Sequence, residues 1–486
     1  RSSTCESEKV GGVSFQLHDV GFRLHDGRCL LSGISCNIAA GQRVAVMGPS
    51  GSGKSTFLAV LSGRASYGAI IGRLFAGGQA ADDLSCLQRV TGFVPQDDIL
   101  HGELTVRENI FYQARLRLPT STTDADAQTA VEKVVADLHI SAIVDARVGT
   151  VEKRGISGGQ RKRVSIGMEL VTQPLLLFAD EPTSGLDSTT AHEVVASFNG
   201  AAERLGTTVL SVIHQPRYET LLLFDDLVLL ATGGTLVYAG PAAGAVSSFE
   251  AHLQVKFPPN ANPADVMLDA IQGTTALPEY GLSLLREASA AAALSASQAA
   301  SHASLRRATP PFFRAVLVFM DRSMLQTMRA YSTILINQVL SITVIAVLCT
   351  ILQNDRIDFF LMQSCLAGLF LMLLQGVAAQ RIFGADIMVT LREARTGMSI
   401  IAFFVAKDLA ALFEITLAAA VFAAWYCPLG ALSQPVTSVF TGAWAFVYSV
   451  YGLSYISSIC LSPGAAQMTS VVFAFISFCV SGGVGP

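Results

Sequence analysis

Charge is missing from the end of this chain: after Glu414 no Asp, Glu, Lys or Arg occurs through Pro486, 72 residues in a row. A water-soluble domain of ordinary composition carries about one charged residue in four, so this stretch is excluded from being one and suits a bilayer. An excess of basic charge is also lacking. The net charge of −4 supplies no positive field of the kind that drives binding to DNA or RNA, so a nucleic-acid partner is excluded. The cysteines, at 5, 29, 36, 86, 349, 365, 427, 460 and 479, form no CxxC pair and have no histidine cluster beside them. That excludes a zinc site of ordinary spacing and reads as reduced thiols rather than a disulfide framework. No signal peptide follows Arg1 and no Asn-x-Ser/Thr site occurs, and the expectation is that the true start precedes Arg1. Disorder is excluded by the 51% apolar content.

What remains is two chemically different halves. Of 33 basic and 37 acidic residues, only 15 follow residue 311. Residues 13 to 275 read as one α/β domain. Gln42 to Met47 is a β-branched stretch that predicts a buried strand, a glycine-rich turn follows at once, and a helical pattern runs from Ser55 to Leu61. Apolar runs at 175–179, 208–213 and 227–230 predict further core strands, the plan of a nucleotide-binding domain. Residues 276 to 311, rich in Ala and Ser and ending Thr309-Pro310-Pro311, predict a linker.

In 312–330, Phe313, Val316, Leu317, Met320, Met324 and Met328 recur at helical spacing with Arg314, Asp321, Arg322 and Arg329 between them. This predicts an amphipathic connecting helix in the membrane interface, the plainer alternative being a helix packed on a soluble domain. Residues 331 to 486 predict an all-α transmembrane domain with about five spans: 332–352, 357–379, 409–426, 436–460 and 465–484. Basic residues precede the first span and recur between the second and third (Arg381, Arg392, Arg395, Lys407), which puts the soluble half on the cytoplasmic side. The ending Gly482-Gly483-Val484-Gly485-Pro486 has no closing loop, so the membrane domain is expected to be incomplete at its C-terminus. Asn337, Gln338, Gln363, Gln375 and Glu414 lie inside spans. They read as helix–helix hydrogen bonding, with Lys407 an interfacial partner for Glu414, ahead of contact with a cargo.

Gly48-Pro49-Ser50-Gly51-Ser52-Gly53-Lys54-Ser55-Thr56 fits G-x-x-x-x-G-K-[ST] between strand and helix. Glycines let successive N–H groups turn toward a phosphate, and the helix N-terminus adds partial positive charge. Lys54 is assigned to the β and γ phosphates of ATP and Ser55 to Mg²⁺. Leu175 to Glu181 is an apolar strand ending in two carboxylates, which suits Asp180 to Mg²⁺ and Glu181 to the attacking water.

Between those motifs Ile156-Ser157-Gly158-Gly159-Gln160 resembles the signature of ATP-binding-cassette proteins. In the same order, Gln96 in Phe93-Val94-Pro95-Gln96 matches that family's Q-loop, Asp187 in Ser184-Gly185-Leu186-Asp187 its D-loop, and His214 in Val212-Ile213-His214-Gln215 its switch histidine. A lone buried histidine is more often structural, but six elements in family order are not a chance pattern. Gln96-Asp97-Asp98, Leu104 to Asn109, Arg154-Gly155, Arg161-Lys162-Arg163 and Asn262-Pro263-Ala264-Asp265 resemble the G subfamily of white/brown-complex half-transporters, in a plant-type branch.

The resemblance implies a RecA-like α/β P-loop nucleotide-binding domain with a helical signature subdomain, then a helical membrane domain. It implies catalytic roles for Glu181, His214 and Gln96, Mg²⁺ held by Ser55, Gln96 and Asp180, and Ser157, Gly158, Gly159 and Gln160 facing a partner's ATP. The family has six spans, one more than are read here, and it stacks adenine on an aromatic residue where this chain offers Leu24 with Phe22 nearby, so the adenine contact is unassigned. The expected protein is an ATP-hydrolysing half-transporter that pairs with a second half-transporter, identical or not, in a lipid bilayer and exports a lipid-like substrate. The alternative is a membrane-anchored ATPase that regulates a partner without transporting.

Overall fold

The computed structural model describes residues 11–80, 84–149, 155–253, 256–272, 310–351, 357–384, 386–429 and 435–480. The linker expected at 276–311, apart from its last two residues, lies outside these, as do Arg154 and the glycine-rich end. The chain divides into two compact units, residues 1–310 with 395–398 and residues 311–394 with 399–486.

The first unit is built on one ten-stranded sheet. Its parallel part runs β6 (Thr91–Val94), β7 (Leu176–Asp180), β8 (Thr208–Val212), β3 (Arg43–Met47) and β9 (Asp226–Ala231), with β10 (Thr235–Pro241) antiparallel beside β9. A single parallel bridge between Thr235 and Ser32 joins it to an antiparallel part made of β1 (Phe15–Leu24), β2 (Cys29–Ile38), β4 (Gly68–Ala76) and the short β5 (Gln79–Ala80). The central strands fall where the apolar runs predicted them.

Side chains alternate across a strand, and here alternation sorts them into two cores. Val44, Val46, Leu176, Phe178, Leu210, Val212, Val228 and Leu230 enter one core with Phe57, Leu58, Val60 and Leu61 of helix α1 (Lys54–Leu61). Ala45, Met47, Leu177, Ala179, Val209, Leu227 and Leu229 enter the other, closed by helices α2 (Val106–Arg117), α3 (Asp124–Asp137), α4 (Gly158–Leu170) and α5 (Ser188–Leu205). Burial on both faces explains why these strands read as unbroken apolar runs. Capping boxes at Thr105 with Glu108, Thr123 with Asp126 and Ser157 with Gln160 fix where α2, α3 and α4 begin. Three smaller helices follow, α6 (Tyr218–Leu221), α7 (Ala245–Leu253) and α8 (Pro263–Gln272).

The described elements of the second unit are all helices: α9 (Phe312–Arg329), α10 (Tyr331–Ile351), α11 (Ile357–Gly384), α12 (Ile387–Ala394), α13 (Ile400–Leu429), α14 (Val436–Cys460) and α15 (Pro463–Val480). Among described residues three helical stretches are long and apolar enough to cross a membrane, Tyr331–Ile351, one that starts at Leu366 within α11, and Val436–Cys460, and Gly464–Ile476 is a shorter apolar one. The segment 409–426 falls within α13, whose first half carries Lys407, Asp408 and Glu414. Helix α9 turns Ala315, Val316, Val318, Phe319, Arg322 and Ser323 inward and leaves Phe313, Leu317 and Met328 exposed.

Candidate nucleotide site

The loop between β3 and α1 closes tightly on the sheet. At Gly48 a Cβ would lie 2.4 Å from the Leu230 carbonyl oxygen. At Gly53, where φ is +83°, it would lie 2.8 Å from Leu31 Cδ2, so this turn admits only glycine without a shift. Lys54 is buried, and its Nζ donates to the carbonyls of Gly48 and Pro49, both at 2.8 Å. Burial depresses the Lys54 pKa, while the charges of Glu181 and Asp180 oppose that effect. Ser52 is fully buried and its Oγ has no hydrogen-bond partner among the described residues.

Three strand ends bring the remaining polar groups to this loop. Ser55 Oγ donates to Asp180 Oδ1 at 3.2 Å, and Gln96 Nε2, just past β6, donates to Glu181 Oε2 at 3.0 Å. Burial raises the Asp180 pKa, the neighbouring Glu181 charge adds to the rise, and Ser55 and Lys54 act against it. Glu181 has φ +47°, a left-handed conformation that costs a non-glycine residue about 1–2 kcal/mol. Its N–H donates to the Val212 carbonyl at 3.1 Å, so β8 holds the strained residue in place. Gln215, next to His214, is also left-handed at φ +43°.

Ser50, Gly51, Gly53, Lys54, Ser55, Thr56, Glu181 and His214 line one open cleft of about 790 Å³, and Asp180 and Gln96 support it through Ser55 and Glu181. A glycine-permitted loop, a buried ammonium, a serine hydroxyl on a carboxylate and a second carboxylate form a donor and acceptor set that suits a nucleotide phosphate with its divalent cation. Leu30 and Thr183, which no sequence motif singled out, also line the cleft, as do Ser184 and Gly185 of the D-loop motif. Leu30 lies in strand β2, and nothing in its residue type marks it for a ligand. Phe22, the aromatic nearest the expected adenine position, is buried and meets Tyr67 edge-on at 5.2 Å, so its ring does not face the cleft.

The signature residues are elsewhere. Ser157 caps α4 by accepting from the Gln160 N–H, and Ser157 to Gln160 are not among the cleft residues. Gly159 packs against the start of α5 so closely that a Cβ would lie 2.5 Å from Thr190 Cγ2. Asp187 caps α5 through the Thr190 N–H at 3.0 Å, so signature and D-loop are neighbours within the chain.

A family model described as ABC transporter matches residues 31–184, and one described as ABC-2 type transporter matches 214–288 and 286–482. The chain belongs to the ABC transporters, in their G family. It is similar to ABC transporter G family member 28 of Arabidopsis thaliana, 31% identical over 92% of this chain and 46% of the relative. ABC-type transporter claG of Penicillium crustosum is 32% identical over 93% of this chain and 62% of its own length. Broad substrate specificity ATP-binding cassette transporter ABCG2 of Bos taurus is 44% identical over 47% of this chain and 34% of its own. The chain spans about half the length of the plant relatives it matches. Its ABC-2 type membrane domain makes it an integral membrane protein.

The polar residues expected inside spans have distinct settings. Asn337 lines an apolar cavity of about 390 Å³ with Leu340, Val344, Phe370, Leu373 and Val471 among its walls. Gln338 is buried with no side-chain hydrogen bond among the described residues, and Gln375 Oε1 accepts from Tyr451 at 3.4 Å. The side chain of Gln363 lies outside the described residues. Lys407, considered above as a partner for Glu414, pairs with Asp386 at 2.5 Å.

Proposed function

We propose that this chain is one half of an ATP-driven exporter, hydrolysing ATP as a dimer to move a hydrophobic or amphipathic, lipid-like substrate across the membrane. The observation that carries the reading is that Lys54, Ser55, Glu181 and His214 line one cleft that the signature does not line, with Asp180 bonded to Ser55 and Gln96 to Glu181 behind it. Lys54 holds the β and γ phosphates, and Ser55, Asp180 and Gln96 hold Mg²⁺, which when bound neutralises charge developing on the transferred phosphoryl group. Glu181, steadied by the Gln96 amide, orients and deprotonates the attacking water. His214 contacts the terminal phosphate. Ser157, Gly158, Gly159 and Gln160 close on the ATP of a second copy or a related half-transporter, so that two composite sites form about a two-fold axis.

About five helices of residues 331–486 cross the bilayer, the connecting helix 312–330 lies at its surface, and the nucleotide-binding domain, residues 13–275, is cytoplasmic. The apolar cavity beside Asn337 supports a substrate that is mostly hydrocarbon with one polar group. The test is ATPase activity of the full chain in lipid nanodiscs against a panel of lipids and amphiphiles. Stimulation by a subset supports export, and a flat response across the panel favours a membrane-anchored regulator.

A further inference from the structure

Lys162 lies five positions after the signature serine, on helix α4, and its side chain is 2% exposed. A lysine that deep in a protein needs partners for its charge. Its Nζ donates to the main-chain carbonyl of Gln96 at 2.7 Å and pairs with Asp98 Oδ1 at 2.9 Å. Seven residues on, along the same face of α4, buried Glu169 accepts from the Phe93 N–H at 3.3 Å and from Arg117 at 2.5 Å. Arg117 in turn donates to the Thr91 carbonyl at 2.9 Å. A buried cation at one end of α4 and a buried anion toward the other therefore fasten the signature helix to strand β6 and the loop after it.

We infer that Lys162 is a positioning residue that makes the signature helix and the Gln96 loop move as one body. The consequence follows from the bonds. The Gln96 side chain holds Glu181 at 3.0 Å, while its main chain is held by Lys162 from a helix capped by Ser157. Engagement of Ser157 by a partner's nucleotide is thereby reported to Glu181 in this chain's own cleft. The two composite sites of the dimer communicate through each chain, by a lysine that touches no nucleotide. This rests on the proposed ATPase reading.

The test removes both charges at once, Lys162→Met with Asp98→Asn, so that no buried ion is stranded. Two readouts are taken on the full chain in nanodiscs. The first is ATPase kcat and KM, with nucleotide affinity measured in a Glu181→Gln background. The second is amide hydrogen exchange of residues 95–99, which needs no hydrolysis. The expected result is a kcat at least tenfold lower, nucleotide affinity within twofold of the parent, an unchanged melting temperature and at least tenfold faster exchange in 95–99. Unchanged exchange, or a kcat within twofold of the parent, overturns the inference. So does a loss of affinity that matches the loss of kcat, which would mark a role in folding alone. A parent chain that hydrolyses no ATP overturns the proposed function instead, and the exchange measurement still decides the coupling.

Discussion

Ser55 and Asp180 stand 125 positions apart in sequence, yet the hydroxyl of one donates to the carboxylate of the other at 3.2 Å. The pair joins the first turn of α1 to the end of β7, and it puts a carboxylate where burial works against its charge. A carboxyl whose pKa is higher in the folded than in the unfolded state contributes stability that is present below about pH 4 and lost as pH rises. Asp180→Asn should therefore raise the melting temperature of the metal-free protein at pH 7, with the gain shrinking toward pH 4. The same change should cut Mg²⁺-dependent hydrolysis roughly 100-fold or more, since it removes a metal ligand. Thermal scans in EDTA across that range, paired with ATPase assays, check both halves, and a lower melting temperature at pH 7 would contradict the account.

Lys54→Ala removes a buried ammonium that faces the loop carbonyls of Gly48 and Pro49. Neutral N–H donors cannot replace its charge-assisted contact to phosphate, which is worth about 2–3 kcal/mol, or roughly 30- to 150-fold in affinity. Nucleotide titration of the variant should show a loss of that size together with loss of hydrolysis. Full ATPase activity would remove Lys54 from the site.

In the second unit Arg322 of α9 and Glu393 of α12 form a two-pronged ion pair at 2.5 and 3.0 Å, with side chains 1% and 2% exposed. Breaking such a pair costs about 3–5 kcal/mol because a charge is stranded, whereas replacing both members is often neutral. Arg322→Met alone should lower the melting temperature and the yield of monodisperse protein sharply. Arg322→Met with Glu393→Met should recover most of both. A double variant no better than the single one would show that the pair is required for more than stability.

The strands and the phosphate loop were legible because each depends on neighbours in sequence. A doubly buried strand must be an unbroken apolar run, and a phosphate turn must place its glycines at fixed offsets. What could not be read were contacts set by the topology alone. Arg322 looked like a solvated charge between apolar residues of an amphipathic helix, but it points inward because Glu393, 71 positions away, meets it there. Lys162 looked like part of a basic run after the signature, and only the packing of α4 on β6 gives it the Gln96 carbonyl. Leu30 is an apolar strand residue whose place on the cleft follows from β2 passing the phosphate loop, where its carbonyl would lie 3.0 Å from a Cβ on Gly53.

The dimer is tested most directly by complementation. A chain with only Ser157→Arg keeps its phosphate loop and loses its signature, and a chain with only Lys54→Ala does the reverse. If the signature acts on the partner's nucleotide, each variant should be inactive as a homodimer. A mixed pair, purified with two different affinity tags, holds one composite site with Lys54 and Ser157 both intact and one site with both defects. One intact site should restore ATP hydrolysis, up to about half the parent rate where the sites work independently. The measurement is the hydrolysis rate of the doubly purified pair against each homodimer. A Ser157→Arg homodimer that hydrolyses ATP at the parent rate would show that the signature does not close on nucleotide here, and with it would go the reason for requiring two copies of the cleft.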